Sequence, residues 1–294
     1  FKNFKLSKKD AEANKRDKLG IPDPIIIREK VLFRYAEFYA RLARFDEAAG
    51  FFTDYADEFK KEKAFKKDEE VQKRVSDATM NAASLYQGLG EHNKAIKLIE
   101  AYLKMNPKAE DTAKQRWRIG EIIEKKEDWS NVVKYFSRLE KDLKRAKADE
   151  RAVCALYRQT KAHLKMGRES DARRTFGNIE KGWDALSAED KSKPCVLEAR
   201  AYVEFTKVED EFKAYEAIDF NTTNQNKLLQ AVEKKLALIE ELAAKYKAVI
   251  DLKHPEYAIA SAYRIAIVSK LMADAFLNSP CPGQLTDDQC GMYQ

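Results

Sequence analysis

Turn formers are scarce in this chain. It carries 10 glycines and 7 prolines in 294 residues, about half the usual share. Sandwiches, barrels and open α/β sheets need many Gly- and Pro-rich connections, so the scarcity argues against all of them. It does not signal disorder, because 15 Phe, 13 Tyr and 3 Trp can fill a core. Long helices with little punctuation remain, and apolar residues recur at helical spacing along most of the chain. Pro22-Asp23-Pro24 predicts the start of a helix that runs through Val31, Phe33, Tyr35, Phe38, Tyr39 and Leu42. Asn106-Pro107 closes another run, and Gly182 to Pro194 loosens a third. The polar stretch Asn221 to Asn226 precedes a helix from about Lys227 to Ile250. His254-Pro255 opens a last long helix, which Ser279-Pro280 ends.

A longer period lies over the helical one. Ala36, Tyr39, Ala43, Ala48, Phe52 and Tyr55 set a pattern of small and large residues. It returns as Ala83, Tyr86, Gly90, Ala95, Ile99, Tyr102 and Pro107, and as Thr160, His163, Gly167, Ala172, Phe176 and Ile179. A looser copy has Gly120, Ile123, Trp129, Val132, Phe136 and Leu139. This spacing resembles the tetratricopeptide repeat (TPR) family, in which small residues let paired helices approach and each pair stacks on the next. The resemblance implies an all-α fold, an irregular TPR-like α-solenoid of antiparallel helix pairs. It is irregular because the anchors Ala48, Ala95, Val132 and Ala172 are 47, 37 and 40 residues apart, against 34 in a regular array. The surplus suggests lengthened helices or inserts, notably the Lys-rich stretch Lys60 to Val75. The expected layout is a basic arm over 1–22, four TPR-like helix pairs over 23–180, divergent helical repeats over 181–278, and a loop over 279–294 with a truncated end.

Four candidate first helices carry an aromatic followed by arginine: Phe33-Arg34, Trp117-Arg118, Tyr157-Arg158 and Tyr263-Arg264. In the TPR frame these positions fall on the concave side. One turn on, the same face brings Glu37, Ser84, Glu121 and Lys161. Such a stripe could receive an extended peptide or a partner helix, with aromatics giving apolar contact and arginines pairing with carboxylates. The alternative is that the aromatics are core and the arginine stems lie over neighbouring helices. The expected function is a non-catalytic protein–protein interaction scaffold binding a peptide or partner protein. No phosphate loop or nucleophile motif is present. Carboxylate pairs such as Glu69-Glu70 and Asp287-Asp288 read as solvated faces in a chain with 49 acids. Three histidines, none near a cysteine cluster, give no zinc site and imply no cofactor.

The net charge of +6 is mild for a chain that is 35% charged, so mixed-sign helix faces are expected. Residues 1–20 hold seven basic residues against three acids. That arm, with the Lys-rich insert, supports a second reading: an electrostatic adaptor to an anionic polymer or a membrane surface. Nucleic acid is not expected, because basic residues alternate with acids. No apolar run approaches the ~20 residues needed to cross a bilayer. Cys154 and Cys195 read as buried small hydrophobes. Cys281 and Cys290 flank a short turn-rich segment and are the candidate disulfide, favoured in an oxidising compartment. The segment from His254 to Cys290 resembles long multi-repeat proteins of myxobacteria and related gliding or predatory bacteria. That resemblance implies a cell-envelope, periplasmic assembly such as gliding machinery, with the cytoplasm as the alternative. Phe at position 1 and an ending at Gly291-Met292-Tyr293-Gln294 suggest a portion of a larger protein.

Overall fold

A computed structural model describes residues 24–281, together with Gly283, Thr286, Asp288 and Gly291. The described residues are helical, with no strand among them. The chain divides into two compact units, Phe1–Val132 and Val133–Gln294, with the division inside one helix, α6 (Trp129–Arg145).

In the first unit α1 (Pro24–Arg41) and α2 (Phe45–Phe59) form one antiparallel pair. A 3-10 turn (Lys63–Phe65) leads to α3 (Glu69–Gly88), which packs on α2 and pairs with α4 (His92–Met105). Then α5 (Thr112–Lys125) packs on α4. Small residues sit where helices cross: Ala36, Ala48, Ala83 and Ala95 are all fully buried. A larger side chain at such a crossing would force the helices apart at about 1–3 kcal/mol. Large side chains fill the spaces between, and the Phe33 ring meets Phe52 at 5.7 Å and Tyr55 at 5.2 Å. Glu29 of α1 is buried, and Arg74 of α3 grips it through Nε at 2.7 Å and Nη2 at 3.2 Å. Tyr55 of α2 donates its hydroxyl to the same carboxylate. Three helices are thus tied at one buried charge.

The same turn recurs between successive helices. Ala43, Gly90, Lys147 and Gly167 have φ of 58°, 77°, 58° and 69°. The next N–H reaches back five residues in each: Arg44 to Tyr39, Glu91 to Tyr86, Ala148 to Leu143 and Arg168 to His163, at 2.8–3.0 Å. This is the Schellman closure, which satisfies carbonyls left open at a helix end. Each left-handed residue stands five positions before a buried alanine: Ala48, Ala95, Ala152 and Ala172. Glu127, at φ 56°, stands five before buried Val132. The repeat frame read from side chains is therefore also written in the backbone.

The Lys-rich insert is part of the helical packing. Phe65 is buried and its ring meets Phe59 at 5.8 Å. Asp68 caps α3 by accepting from the Val71 N–H at 3.1 Å. These residues account for the long 47-residue spacing.

In the second unit α7 (Asp149–Lys165) pairs with α8 (Glu169–Ala185). The short α9 (Ala188–Lys191) follows, capped by Ser187. Beyond it, α10 (Pro194–Glu216), α11 (Gln225–Asp251) and α12 (Pro255–Leu277) are longer, at 23, 27 and 23 residues. Pro194 and Pro255 open their helices, where a missing N–H costs nothing. Asn224 caps α11 through the Lys227 N–H at 3.1 Å. α10 packs on α7 and α8 and also on both α11 and α12. The last three helices enclose Phe212, Tyr215, Leu242, Tyr246 and Val268. The fold class is all-α, an irregular TPR-like stack of antiparallel helix pairs.

One expectation fails. Cys154 and Cys195 are not a pair of separate apolar side chains but a disulfide, with Cα atoms 5.8 Å apart, an ordinary bridge separation. The bond ties the middle of α7 to the start of α10 across 41 residues. Sequence spacing hid it because only the return of α10 onto α7 brings the two together. Cys281 is also disulfide-bonded. Its expected partner Cys290 lies outside the described residues, as does the basic arm 1–22.

Candidate functional site

In unit 1 the first helices α1 and α3 meet over α2 around a cleft. Glu37, Ala40 and Arg41 from α1, Phe52 from α2, and Asn81, Ser84 and Leu85 from α3 line this cleft of about 340 Å³. Asn81 and Ser84 are exposed, three residues apart on α3. Helical geometry puts them side by side. Glu37 and Arg41 are likewise one turn apart on α1. The walls therefore offer a carboxylate, a guanidinium, an amide and a hydroxyl around an apolar floor. Arg34, at 78% side-chain exposure, pairs with Glu37 at 3.2 Å.

Arg118 of α5 reaches α3. Its Nε donates to Gln87 Oε1 at 2.6 Å and its Nη2 to Ser84 Oγ at 3.1 Å. Burial lowers the guanidinium's pKa from its ordinary value. Trp117 donates its indole N–H to Glu121 at 3.2 Å, one turn on along the same helix. Ser84, Arg118 and Glu121 thus sit in one patch with the cleft beside them. Phe33 does not join it, because its ring is in the α1–α2 packing.

In unit 2 the expected residues take different environments. Tyr157 is buried at 2% exposure, so its ring offers no face to a ligand. Its hydroxyl donates to Glu198 of α10 at 3.0 Å. Burial is the main cause holding that hydroxyl well above the usual phenol range, and its bonds to Tyr257 and Glu198 add to it. Lys161 donates to the same Glu198 at 3.4 Å and lies 4.3 Å over the Tyr157 ring. Tyr202, 5.5 Å from Tyr157, extends this cluster. Arg158 is half-buried. Arg264 donates two bonds to Glu209, at 2.8 and 2.6 Å, and lies 4.3 Å over Phe212. The carboxylate it pairs with is the chain's own. Tyr263 is 62% exposed.

The aromatic-arginine pairs therefore do two jobs that the sequence does not separate. Phe33 and Tyr157 pack the interior, whereas Arg118 bonds to Ser84 on the wall of the α1–α3 cleft and Trp117 bonds to Glu121 on its own helix. Ala40 and Arg41 are cleft residues that the aromatic pattern passed over, and their one signal was the i, i+4 relation of Arg41 to Glu37. Asn81 stands where the second repeat carries Met80-Asn81 in place of an aromatic–arginine pair, three residues before Ser84. Among the described residues no group of three or more His, Cys, Asp or Glu could hold a metal ion. No helix among them is long and apolar enough to cross a membrane.

No protein-family model matches the chain, and no curated protein matches its sequence. Several solved structures are similar to it. The TPR-like repeats of a kinesin light chain from Podosopora anserina are 13% identical, with a TM-score of 0.39, covering 76% of this chain and 94% of that one. Aspartyl phosphate phosphatase F from Bacillus subtilis is 15% identical, with a TM-score of 0.39, over 85% of this chain and 61% of that one. A Rap protein complexed with competence and sporulation factor is 16% identical, with a TM-score of 0.38, over 88% and 68%.

Proposed function

We propose that this chain is a non-catalytic interaction scaffold whose first unit binds a peptide or an extended segment of a partner protein in the cleft between α1 and α3. The observation that carries the reading is the cleft itself, of about 340 Å³, with charged and polar walls over an apolar floor. Apolar floors supply affinity, and a few placed polar groups supply orientation. Helix packing at Ala36 and Ala83 holds the backbone of the walls still, so little backbone entropy is lost on binding. Glu37 suits a Lys, Arg or backbone N–H of the ligand. Arg41 suits a carboxylate, and Asn81 can hold a peptide group through both its amide donor and its carbonyl. Trp117, Arg118 and Glu121 would extend the contact along α5. Tyr263 would offer a separate contact in the second unit.

The test is selection of a random peptide display library on the intact protein, followed by binding measurements with the enriched peptide. Asn81→Ala and Arg41→Ala each weaken it by about five- to thirty-fold, the worth of one or two kcal/mol, with helicity unchanged. Trp117→Ala weakens it less. Enrichment of no peptide, or equal binding by both cleft variants, overturns the assignment.

An envelope setting belongs to the same proposal. The support for it is the Cys154–Cys195 bond, which favours an oxidising compartment. Thiol titration of protein taken directly from its cells tests it. Free thiols at Cys154 and Cys195 would place the chain in a reducing compartment instead.

A further inference from the structure

Helix α1 has two apolar faces, and the described helices of its unit bury one of them. Phe33 and Ala36 face α2 and α3, alongside the buried Glu29. On the opposite side Ile27, Val31, Tyr35, Phe38 and Leu42 are exposed, at 41, 38, 44, 52 and 52%. From Val31 onward their steps are four, three and four, the spacing of a coiled-coil seam. A groove of about 290 Å³ runs along this side, lined by Lys30, Val31, Arg34, Tyr35 and Phe38. The Tyr35 ring also meets Phe51 of α2 at 5.0 Å, so the surface continues beyond α1. A strip this apolar on a solvated helix marks an interaction surface.

Charge identifies the occupant. Lys30, Arg34 and Arg41 edge the seam and are exposed. Glu37 pairs with Arg34 at 3.2 Å on that edge. A second copy docked antiparallel would set Arg34 and Arg41 against the same residues of its mate. Residues 1–20 carry an excess of four positive charges and would meet the same repulsion. We propose that the α1 seam docks an amphipathic helix of a partner protein, one with an apolar stripe at a and d positions and acidic residues beside it. This surface borders the α1–α3 cleft, sharing Arg41 and the Arg34–Glu37 pair with it, but its apolar residues are not among those that line the cleft.

The probes are two synthetic 21-residue helical peptides with leucine at a and d. One has glutamate at e and g, and the other has lysine there. Like charge keeps each from pairing with itself. Binding to the intact protein is read by fluorescence anisotropy at low and high salt. The glutamate peptide binds about ten-fold or more tightly than the lysine peptide, and raising salt narrows the gap. Val31→Ser with Phe38→Ser abolishes binding while the circular dichroism spectrum is kept, since both side chains are exposed. Lys30→Glu with Arg34→Glu reverses the peptide preference, and Asn81→Ala in the cleft changes nothing. Equal binding of the two peptides, no binding of either, or dimerisation of the protein that Phe38→Ser removes each overturns the proposal.

Discussion

Single residues in this chain are set by two demands, backbone hand and the satisfaction of buried polar groups. Ala43 and Gly90 occupy the same left-handed turn position, but only glycine does so without a steric penalty. Ala43→Gly is therefore expected to stabilise the first unit by up to about 1 kcal/mol, and Gly90→Ala to destabilise it by a similar amount. A Cβ at Gly90 would meet nothing within 4 Å, so its cost is purely conformational. Shifts in urea midpoint at constant slope check both. Buried Glu29 poses the other demand. Glu29→Ala takes away the acceptor of the Tyr55 hydroxyl and the closer partner of Arg74, which keeps Glu70 at 3.6 Å, and about 2–3 kcal/mol of stability should be lost. Tyr215 gives a pH test. It is fully buried, its hydroxyl donates to the Val268 carbonyl at 2.6 Å, and burial pushes its pKa up to about 12. The unfolded chain then loses this proton near pH 10, before the folded one does. Stability from this group is present below pH 10 and falls as pH rises from about 10 to 12, by at most about 1.4 kcal/mol per pH unit. Tyr215→Phe should cost about 1 kcal/mol at neutral pH and flatten the alkaline decline, as read from denaturant midpoints across that range.

At the scale of elements, helix boundaries were the most legible part of the sequence. Asn106-Pro107, the polar run before Lys227 and His254-Pro255 each mark an end or a start, because capping and proline chemistry act within one turn of chain. The observed α4, α11 and α12 end or begin within two residues of those marks. Helix pairing was legible at Ala36, Ala83 and Ala172, where only a small side chain fits a crossing. The site was less so. Whether an aromatic points into a crossing or onto an open face depends on where the next helix lies, and Phe33 and Trp117 share a local pattern but not a neighbour. The cap at Asp68 offers a check at this scale. Asp68→Ala removes the acceptor of the Val71 N–H and should cost about 1 kcal/mol. It should also raise hydrogen exchange in the first turn of α3 above that of the α3 centre.

For the molecule as a whole, the division into two units should give two thermal transitions, and the disulfide lies in the second unit. Closing 41 residues removes roughly 4 kcal/mol of chain entropy from the unfolded second unit. Reduction, or Cys154→Ser with Cys195→Ser, should lower that unit's transition and leave the first unit's in place, as differential scanning calorimetry would show. Neither cysteine announced this, since the contact between α7 and α10 depends on the intervening α8 and α9. The same bond matters to a chain under tension. Pulled from its two ends, the protein does not pay out the stretch between Cys154 and Cys195, which the covalent tie bypasses. At about 3.5 Å for each extended residue, this bond alone should hold full extension roughly 140 Å short of that of the Cys154→Ser, Cys195→Ser variant. A scaffold strung between moving parts would thus carry a fixed stop on how far it can be drawn out.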